Sequence, residues 1–332
     1  MNLKSEIENP VVLITGVAGY IGSHVLSSLI AAGYSTDSIY GLDNFVSGLK
    51  HPLLNQIGFS NVDLTDISVT SEIFEEIRPD VVIHLAGNRF ARKSLSNPFD
   101  VYASNAACTS VVSESIRRLG KKVFIVFSSS CAVYGDRKSV VREGDPFNPV
   151  SPYGRSKIMC EQILEDFYLA GGAVPISLRY FNAAGFFPPG SADTSREGLF
   201  ANLVHHANSG TNVPVFGYDL PTRDGSCIRD YISVRDISKA HINILGRIMN
   251  GYHPKFSSYN LGTGIGHSVF EVITLFNSLV EQSVEADIQS ASSGDPLDIT
   301  ANSERFSSEF NWTPDDGIET IIKSISPLIE AI

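Results

Sequence analysis

The sequence predicts an α/β protein in which a Rossmann-like, doubly wound parallel sheet is joined to a smaller, mixed C-terminal domain. Short β-branched runs alternate with helix-like stretches over the first 135 residues, and a glycine-rich turn follows the first run. Beyond about residue 183 the pattern loosens into shorter elements separated by Gly-, Pro- and Ser-rich turns. Alternating strands and helices are typical of βαβ units, which build a parallel sheet covered by helices on both faces.

Five apolar runs are the predicted strands of this sheet. They are VVLIT (11–15), SIYGLD (38–43), VVIHLAG (81–87), KVFIVFSSS (122–130) and PISLRYFN (175–182). Apolar residues at helical spacing predict helices over 20–32 and around 107–119. A third helix is predicted over 151–171, where Ser151 can cap the first turn, Pro152 suits that turn, and a glycine pair ends the helix.

Composition excludes several classes of function. A net charge of -11 argues against binding to nucleic acid or an anionic membrane, so an anionic substrate would need local cations and backbone amides. The four cysteines show no metal or disulfide spacing, and His205 and His206 have no carboxylate-rich partner, so no metal site is expected. With no apolar stretch of roughly 18–20 residues and no signal peptide, we expect a soluble, cytoplasmic protein.

A glycine-rich loop follows the first predicted strand. Gly16, Gly19 and Gly22 form a G-x-x-G-x-x-G pattern at the start of a helix, with Tyr20 and Ile21 inside it. Glycines there permit a tight turn and let backbone N–H groups approach a pyrophosphate at the positive helix end. We therefore predict that this loop binds a dinucleotide.

Asp43 ends the second predicted strand, with Asn44 beside it. A carboxylate at this place can accept hydrogen bonds from both ribose hydroxyls and would repel a 2′-phosphate. The sequence therefore predicts NAD, not NADP, as the cofactor. Asp63 and Leu64 follow another predicted turn, and we expect them near the adenine.

Tyr153 and Lys157 lie four residues apart on the predicted 151–171 helix and therefore on one face. A phenol has a pKa of about 10 and is a poor base at neutral pH. A nearby ammonium, together with a positive nicotinamide ring, would favour the phenolate. Ser130 ends a predicted strand and can hydrogen-bond the same substrate oxygen. These three residues are the predicted catalytic set of a nicotinamide enzyme that oxidises a carbinol carbon.

The glycine loop, SSSCAVYG (128–135) and SPYGRSK (151–157) resemble the extended short-chain dehydrogenase/reductase family. RYFNAAG (179–185) and GYDLPTRDGSCIRDYISVRD (217–236) resemble the UDP-hexose 4-epimerases within its NAD-dependent epimerase/dehydratase group. The resemblance runs from Val11 to about Trp312.

This resemblance implies an isomerase with tightly held NAD and a UDP-sugar substrate. Hydride leaves C4 of the sugar and returns to the opposite face of a 4-keto intermediate. An NAD-binding domain is expected over 1–182, joined by segments near 230–265, and a nucleotide-sugar domain over 183–332. The resemblance also implies a homodimer, joined through helices near 95–119 and 151–170.

Site residues carried over from the family fall into two groups. The further cofactor contacts are expected at Leu85, Ala86, Gly87, Arg89, Asn105, Ser128 and Tyr180, besides Tyr153 and Lys157. The substrate contacts are expected at Ser130, Asn182, Asn202, Leu203, Phe216, Arg229 and Asp295.

Three positions depart from the family pattern. Ser292 stands where an Arg usually clamps the diphosphate, which leaves the substrate open or requires another cation, with Arg223 a candidate. Arg89 stands where a Lys is common, and Ile299 falls near the position of a Tyr that limits the sugar pocket.

Other outcomes on this scaffold stay open. Cys131 and Ala132 follow Ser130 where dehydratases and decarboxylases of the family carry carboxylates, which disfavours both reactions. A reductase of nucleotide sugars is a further alternative. A non-catalytic protein that senses NAD and binds a partner is another, although Tyr153 and Lys157 are both present.

Overall fold

The computed structural model describes residues 9–136, 138–252, 255–290 and 296–330. Its strands are β1 Val12–Thr15, β2 Ile39–Asp43, β3 Gly58–Asn61, β4 Val81–His84, β5 Phe124–Ser130, β6 Lys138–Val141, β7 Val174–Tyr180, β8 Asn182–Ala184, β9 Val213–Phe216, β10 Ile228–Ser233, β11 Ser257–Leu261, β12 Gly266–Ser268, β13 Ala286–Gln289 and β14 Asp298–Ala301. Its helices are α1 Tyr20–Ala31, α2 Ile67–Ile77, α3 Ala91–Ser96, α4 Pro98–Val101, α5 Cys108–Arg118, α6 Pro152–Leu169, α7 Leu199–Ser209, α8 Val234–Met249, α9 Val269–Leu279, α10 Glu304–Phe310 and α11 Ile318–Ile325.

A seven-stranded, fully parallel sheet forms the larger part of the molecule. Its strand order is β11-β7-β5-β4-β1-β2-β3. The chain therefore builds outward in one direction from β1 to β3 and in the other from β4, which lies directly beside β1. Doubly wound sheets bind their ligands outside the carboxyl ends of the strands, at the point where the direction reverses. This order confirms the predicted fold class.

Helices cover both faces of this sheet. Because successive strand side chains point to opposite faces, Val12 and Ile14 of β1 join one core cluster and Leu13 joins another. The first cluster receives α1 and α8, and the second receives α2, α5 and α6. Both faces are buried, as the continuous apolar runs of the strands require.

The second part of the chain forms smaller sheets beside the first. The path β12-β10-β14-β6 joins strands from both halves of the chain, with β8 paired to β10, and β9 pairs separately with β13. A third core cluster lies here, between α7, α9, α11 and these strands. None of the helices in the described part of the chain is long and apolar enough to span a membrane.

The structure contains several elements that the sequence pattern did not predict, among them helix α2. Strands β3 and β6 lie outside the predicted runs, because neither has a strongly apolar pattern. Helix α8 spans sixteen residues, although only small helices were expected beyond residue 183. Its apolar side packs on the seven-stranded sheet, and β11 forms one edge of that sheet. Residues from the second half of the chain therefore complete the larger part of the molecule.

Three buried histidines lie at junctions of this fold. His84 bonds to Thr15 and Thr109 through its two ring nitrogens, and His241 bonds to the Tyr180 hydroxyl. Burial lowers the pKa of His84 to about 3 and the pKa values of His24 and His241 to about 4. The neutral imidazole therefore belongs to the folded state.

We predict that the protein loses stability as pH falls from about 6.5 towards 4. In this window the unfolded histidines, with a pKa of about 6.5, bind protons that the folded ones do not. Thermal unfolding at pH 7 and pH 5 measures the effect. The variant His241→Gln, which keeps a polar partner for Tyr180, should show a smaller difference between the two pH values. An equal difference in both proteins would contradict this origin.

Candidate active site

The glycine loop connects β1 to α1 with close backbone packing. Gly16 has a φ of +73°, and a Cβ there would lie 2.7 Å from the backbone nitrogen of Ala86. A Cβ on Gly22 would lie 2.1 Å from the Gly16 carbonyl oxygen. No side chain caps the first turn of α1, where helical N–H groups lack intrahelical partners. The loop therefore has a shape that fits a pyrophosphate, and the first turn of α1 provides the backbone donors.

Asp43 lies at the carboxyl end of β2, next to this loop. Its carboxylate accepts from the backbone N–H of Ala18 at 2.9 Å and of Phe45 at 2.8 Å. It is buried and ties β2 to the glycine loop while retaining lone pairs for ribose hydroxyls. The exposed Asn44 forms a local turn with Val46.

Asp63 and Leu64 follow β3, which pairs with β2 at Asp43. The Asp63 carboxylate accepts from the backbone N–H and the hydroxyl of Thr65, a turn contact, and the Leu64 side chain is buried in the core. Both residues thus lie near Asp43, where their main chain is available to an adenine.

The loop after β4 forms the opposite wall of the cradle. Leu85 and Ala86 donate backbone bonds to Thr15, which holds this loop against Gly16. Gly87 has a φ of +152°, and a Cβ there would lie 2.7 Å from Oδ1 of Asn105. The Asn105 side chain bonds to both backbone groups of Asn88 and to the Ser156 hydroxyl. Asn105 therefore positions the loop.

The predicted catalytic residues meet where β5 contacts α6. Ser151 caps α6 by accepting from the Gly154 N–H at 3.1 Å, and Pro152 opens the helix. Lys157 is buried, and its Nζ donates to the Ser128 carbonyl oxygen at 2.6 Å. The Ser130 hydroxyl interacts with the phenol of Tyr153. One oxygen bound between these two hydroxyls would exchange a proton with either.

Burial dominates the acidity of Tyr153 in the protein without a bound cofactor. Burial raises its pKa to about 12, while the bond with Ser130 and the positive charge of Arg89 act in the opposite direction. The Nζ of Lys157 lies 5.8 Å from the Tyr153 ring centroid, and burial lowers its own pKa. In the protein alone the phenol therefore stays protonated, because desolvation outweighs the nearby cations.

A buried ion pair beneath this site was not identified from the sequence. Arg179 of β7 donates to both oxygens of Glu161 on α6, at 3.0 and 2.6 Å, and both side chains are at most 5% exposed. Ser129, between Ser128 and Ser130, also donates to Glu161. Glu161 follows Lys157 by four residues, so it lies on the same face of α6 as Tyr153 and Lys157.

Two tyrosines of the predicted cofactor set have their hydroxyls engaged. The Tyr180 hydroxyl lies 3.0 Å from Nε2 of His241, and Tyr20 donates to the Gly185 carbonyl oxygen at 2.6 Å. Arg89 forms a two-bond ion pair with Asp193 and lies 5.9 Å from the Tyr20 ring. Any contact of these tyrosines with a dinucleotide would use the rings or the main chain.

Besides Ser130, the predicted substrate residues in the described part of the chain come from four elements: β8, α7, β9 and β10. Asn182 begins β8 and lines a cavity with Tyr20, Gly198 and Phe200. Leu203 of α7 is fully buried in the core, so it can offer a ligand only its main chain.

The remaining substrate residues lie towards the second domain. Asn202 is partly exposed on α7. Phe216 ends β9, where the Arg92 guanidinium stacks 3.9 Å from its ring centroid. Arg229 lies on β10 near Cys131, the residue after Ser130. Burial raises the pKa of the Cys131 thiol, and the positive charge of Arg229 acts in the opposite direction. The fold thus brings Arg229 to the end of β5.

The structure describes Arg223 and Ile299, two of the residues discussed with the departures from the family pattern. Arg223 pairs through two bonds with Glu271 and donates to the Gly266 carbonyl oxygen, so it is engaged away from the cleft. Ile299 is buried in the core, paired with Arg229 across β14 and β10. Ser292 and Asp295 lie outside the described residues. In the part of the chain that is described, no cluster of three or more potential ligands could hold a metal ion.

The doubly wound sheet, the glycine cradle and the Ser130, Tyr153 and Lys157 cluster together define a nicotinamide-dinucleotide-binding protein of the short-chain dehydrogenase/reductase type. The model of the NAD dependent epimerase/dehydratase family matches residues 12–262. The chain belongs to this family, as its motifs indicated.

Individual relatives are similar over nearly the whole chain. A UDP-glucose 4-epimerase from Lacticaseibacillus casei is 33% identical over 94% of this chain and 95% of its own length. The structure of a UDP-glucose 4-epimerase from Brucella ovis with NAD is 30% identical, covers 95% of this chain and 97% of its own, and has a TM-score of 0.87. Another, from Bifidobacterium longum with NAD+ and UDP, is 30% identical, covers 94% and 96%, and has a TM-score of 0.84.

We predict that Asp43→Asn weakens discrimination against NADP by roughly tenfold, because it removes the charge that repels a 2′-phosphate and keeps an oxygen for Ala18. Fluorescence titration with NADH and NADPH, after removal of bound dinucleotide, gives the two affinities. Asp37→Asn, which makes the same charge change on the exposed surface, is the control. Unchanged discrimination in Asp43→Asn would show that another group selects the cofactor.

Proposed function

We propose that this chain is an isomerase, an NAD-dependent 4-epimerase of UDP-hexoses, which inverts C4 of the sugar through a 4-keto intermediate. The observation that carries the proposal is the meeting of Ser130, Tyr153 and Lys157 at the carboxyl edge of the sheet, directly beside the dinucleotide cradle. The close similarity to UDP-glucose 4-epimerases over nearly the full length agrees with it.

We propose that the dinucleotide is held by residues of the glycine loop, of the segments after β2, β3 and β4, and of β5, α6 and β7. The set is Gly16, Gly19, Tyr20, Ile21, Gly22, Asp43, Asn44, Asp63, Leu64, Leu85, Ala86, Gly87, Arg89, Asn105, Ser128, Tyr153, Lys157 and Tyr180. When bound, NAD supplies the acceptor and donor of the C4 hydride. The Asp43 carboxylate selects NAD because its negative charge would repel the 2′-phosphate of NADP.

Tyr153 and Ser130 act on the C4 oxygen of the sugar. Tyr153 takes the hydroxyl proton as C4 is oxidised and gives it back as C4 is reduced, so no net proton is consumed. Ser130 holds the oxygen in line with the phenol. Lys157 is fixed by the Ser128 carbonyl one turn from Tyr153, and Arg89 adds positive charge that favours the phenolate. Burial of this set excludes water from the reacting centre.

The substrate side is proposed to include Asn182, Asn202, Leu203, Phe216 and Arg229, with Asp295 outside the described residues. Arg229 lies on β10 near Cys131, at the end of β5, and is the cation proposed to meet the diphosphate. The UDP bound in the Bifidobacterium longum relative supports uridine diphosphate as the nucleotide.

The environment of Cys131 favours epimerisation over dehydration or decarboxylation. Burial raises the pKa of its thiol to about 12, so Cys131 stays neutral, and Ala132 has no group to exchange a proton. The assembled Tyr153 and Lys157 also argue against a non-catalytic role in NAD sensing.

We also propose a cytoplasmic homodimer with a cofactor domain over 1–182, completed by segments near 230–265, and a substrate domain over 183–332. Four free cysteines suit a reducing compartment. Phe99 and Met159 are 79% and 46% exposed on α4 and α6, so they form an apolar surface that a second copy would cover.

Tyr153→Phe should lower the rate of C4 inversion by about 10²–10⁴-fold and leave the bound NAD in place, because only the exchangeable proton is lost. Proton NMR with UDP-galactose, UDP-N-acetylgalactosamine and UDP-galacturonate separately, without added NAD, measures inversion and identifies the sugar. Tyr218→Phe, at an exposed tyrosine, is the control. A wild-type protein that holds NAD and inverts none of the three sugars would refute the proposal.

Phe99→Glu should convert the dimer into a monomer, because it introduces charges at the centre of the apolar surface. Light scattering coupled to size-exclusion chromatography measures the mass. Ile265→Glu, at an exposed apolar residue outside α3–α6, should leave the mass unchanged. A wild-type protein with the mass of one chain would exclude the dimer.

A further inference from the structure

A segment without helix or strand, residues 185–198, connects β8 to α7 and crosses from one wall of the dinucleotide cradle to the other. We call it the strap. One end lies on the first turns of α1, directly after the glycine loop, and the other end lies against the loop after β4. Because β1 and β4 are neighbours in the sheet, these two contacts lie on opposite sides of the crevice where the strand order reverses.

The first half of the strap is fixed to α1 by buried contacts. The Tyr20 hydroxyl donates to the Gly185 carbonyl oxygen at 2.6 Å, and Ser23 accepts from the Ser191 N–H at 2.8 Å. Nε2 of His24 accepts from the Phe187 N–H at 3.2 Å, while its Nδ1 lies 2.8 Å from the Tyr20 carbonyl oxygen. A Cβ on Gly190 would lie 2.6 Å from the His24 ring, so the strap lies directly on the helix.

The second half is fastened by ion pairs. Asp193 accepts from both terminal nitrogens of Arg89, at 3.1 and 2.5 Å. Glu197 lies 3.5 Å from Lys93. The Arg89 and Asp193 side chains are 42% and 15% exposed, so this fastening is accessible to water and ions, unlike the contacts on α1. The strap can therefore open from its second half while the first half stays in place.

Arg89 connects this fastening to the site. It follows the Leu85–Gly87 wall of the cradle by two residues, lies 5.9 Å from the Tyr20 ring, and acts electrostatically on Tyr153.

We propose that the ion pair of Asp193 with Arg89 fastens the strap over the bound dinucleotide and sets how slowly NAD is released. Asp193 is thus a positioning residue, which acts through Arg89 and the strap. The proposal rests on the proposed function only in taking the cradle to hold NAD.

The test measures release of the cofactor, independent of turnover. Wild-type protein loaded with labelled NAD is mixed with excess unlabelled NAD, and the label retained on a filter is followed with time. We expect Asp193→Asn to release NAD roughly threefold to tenfold faster, because the charge-assisted, two-bond contact is lost. Raising the salt concentration should speed release from the wild type and have little effect on the variant, since salt screens the pair.

Asp315→Asn is the matched control. It makes the same charge change and removes a surface ion pair with Lys239 that contacts neither the strap nor the cradle, so its release rate should equal that of the wild type. If Asp193→Asn also releases NAD at the wild-type rate, with the same salt dependence, the strap proposal is overturned. If the wild type holds no dinucleotide, the proposed function fails, and the strap proposal fails with it.

Discussion

The geometry of the candidate site depends on the buried ion pair between Glu161 and Arg179. Isolated charges are strongly disfavoured in a protein interior, so each of these side chains requires the other where α6 crosses the sheet. Three consecutive residues of β5 then contact α6 in successive turns: Ser130 meets Tyr153, Ser128 meets Lys157 and Ser129 meets Glu161. A shift of one residue along the helix would rotate these side chains by about 100° and separate Tyr153 from Ser130.

The same network extends to the second half of the chain. Arg179 also donates to the Tyr134 hydroxyl, which in turn donates to Asn260 on β11. The Asn260 amide bonds to the Val141 carbonyl oxygen of β6. Strand β6 pairs with β14, β14 with β10, and β10 with β8, the strands that carry Arg229 and Asn182. The polar contacts of Arg179 are therefore connected through strand pairing to the proposed substrate side.

An acidic protein that binds two anionic molecules must concentrate its cations locally. With a net charge of -11, long-range attraction is unfavourable, and the positive groups near the cleft are held individually. Lys157 is bonded to Ser128, Arg92 stacks on Phe216, and Arg89 pairs with Asp193. Each is therefore held in position by a partner within the chain. Arg223 is likewise held, by Glu271.

The sequence by itself determined the parallel sheet, the glycine loop and the Tyr153–Lys157 face of α6, because these depend on periodicity and spacing within one segment. Only the tertiary structure decided features that join distant segments. It placed β11 in the seven-stranded sheet and α8 against that sheet, buried Leu203 in the core, and paired Asp193 with Arg89. It also buried Tyr153, which raises the pKa of its phenol in the protein alone. Solvent exclusion at one residue depends on everything packed around it, and a local pattern contains no information about desolvation.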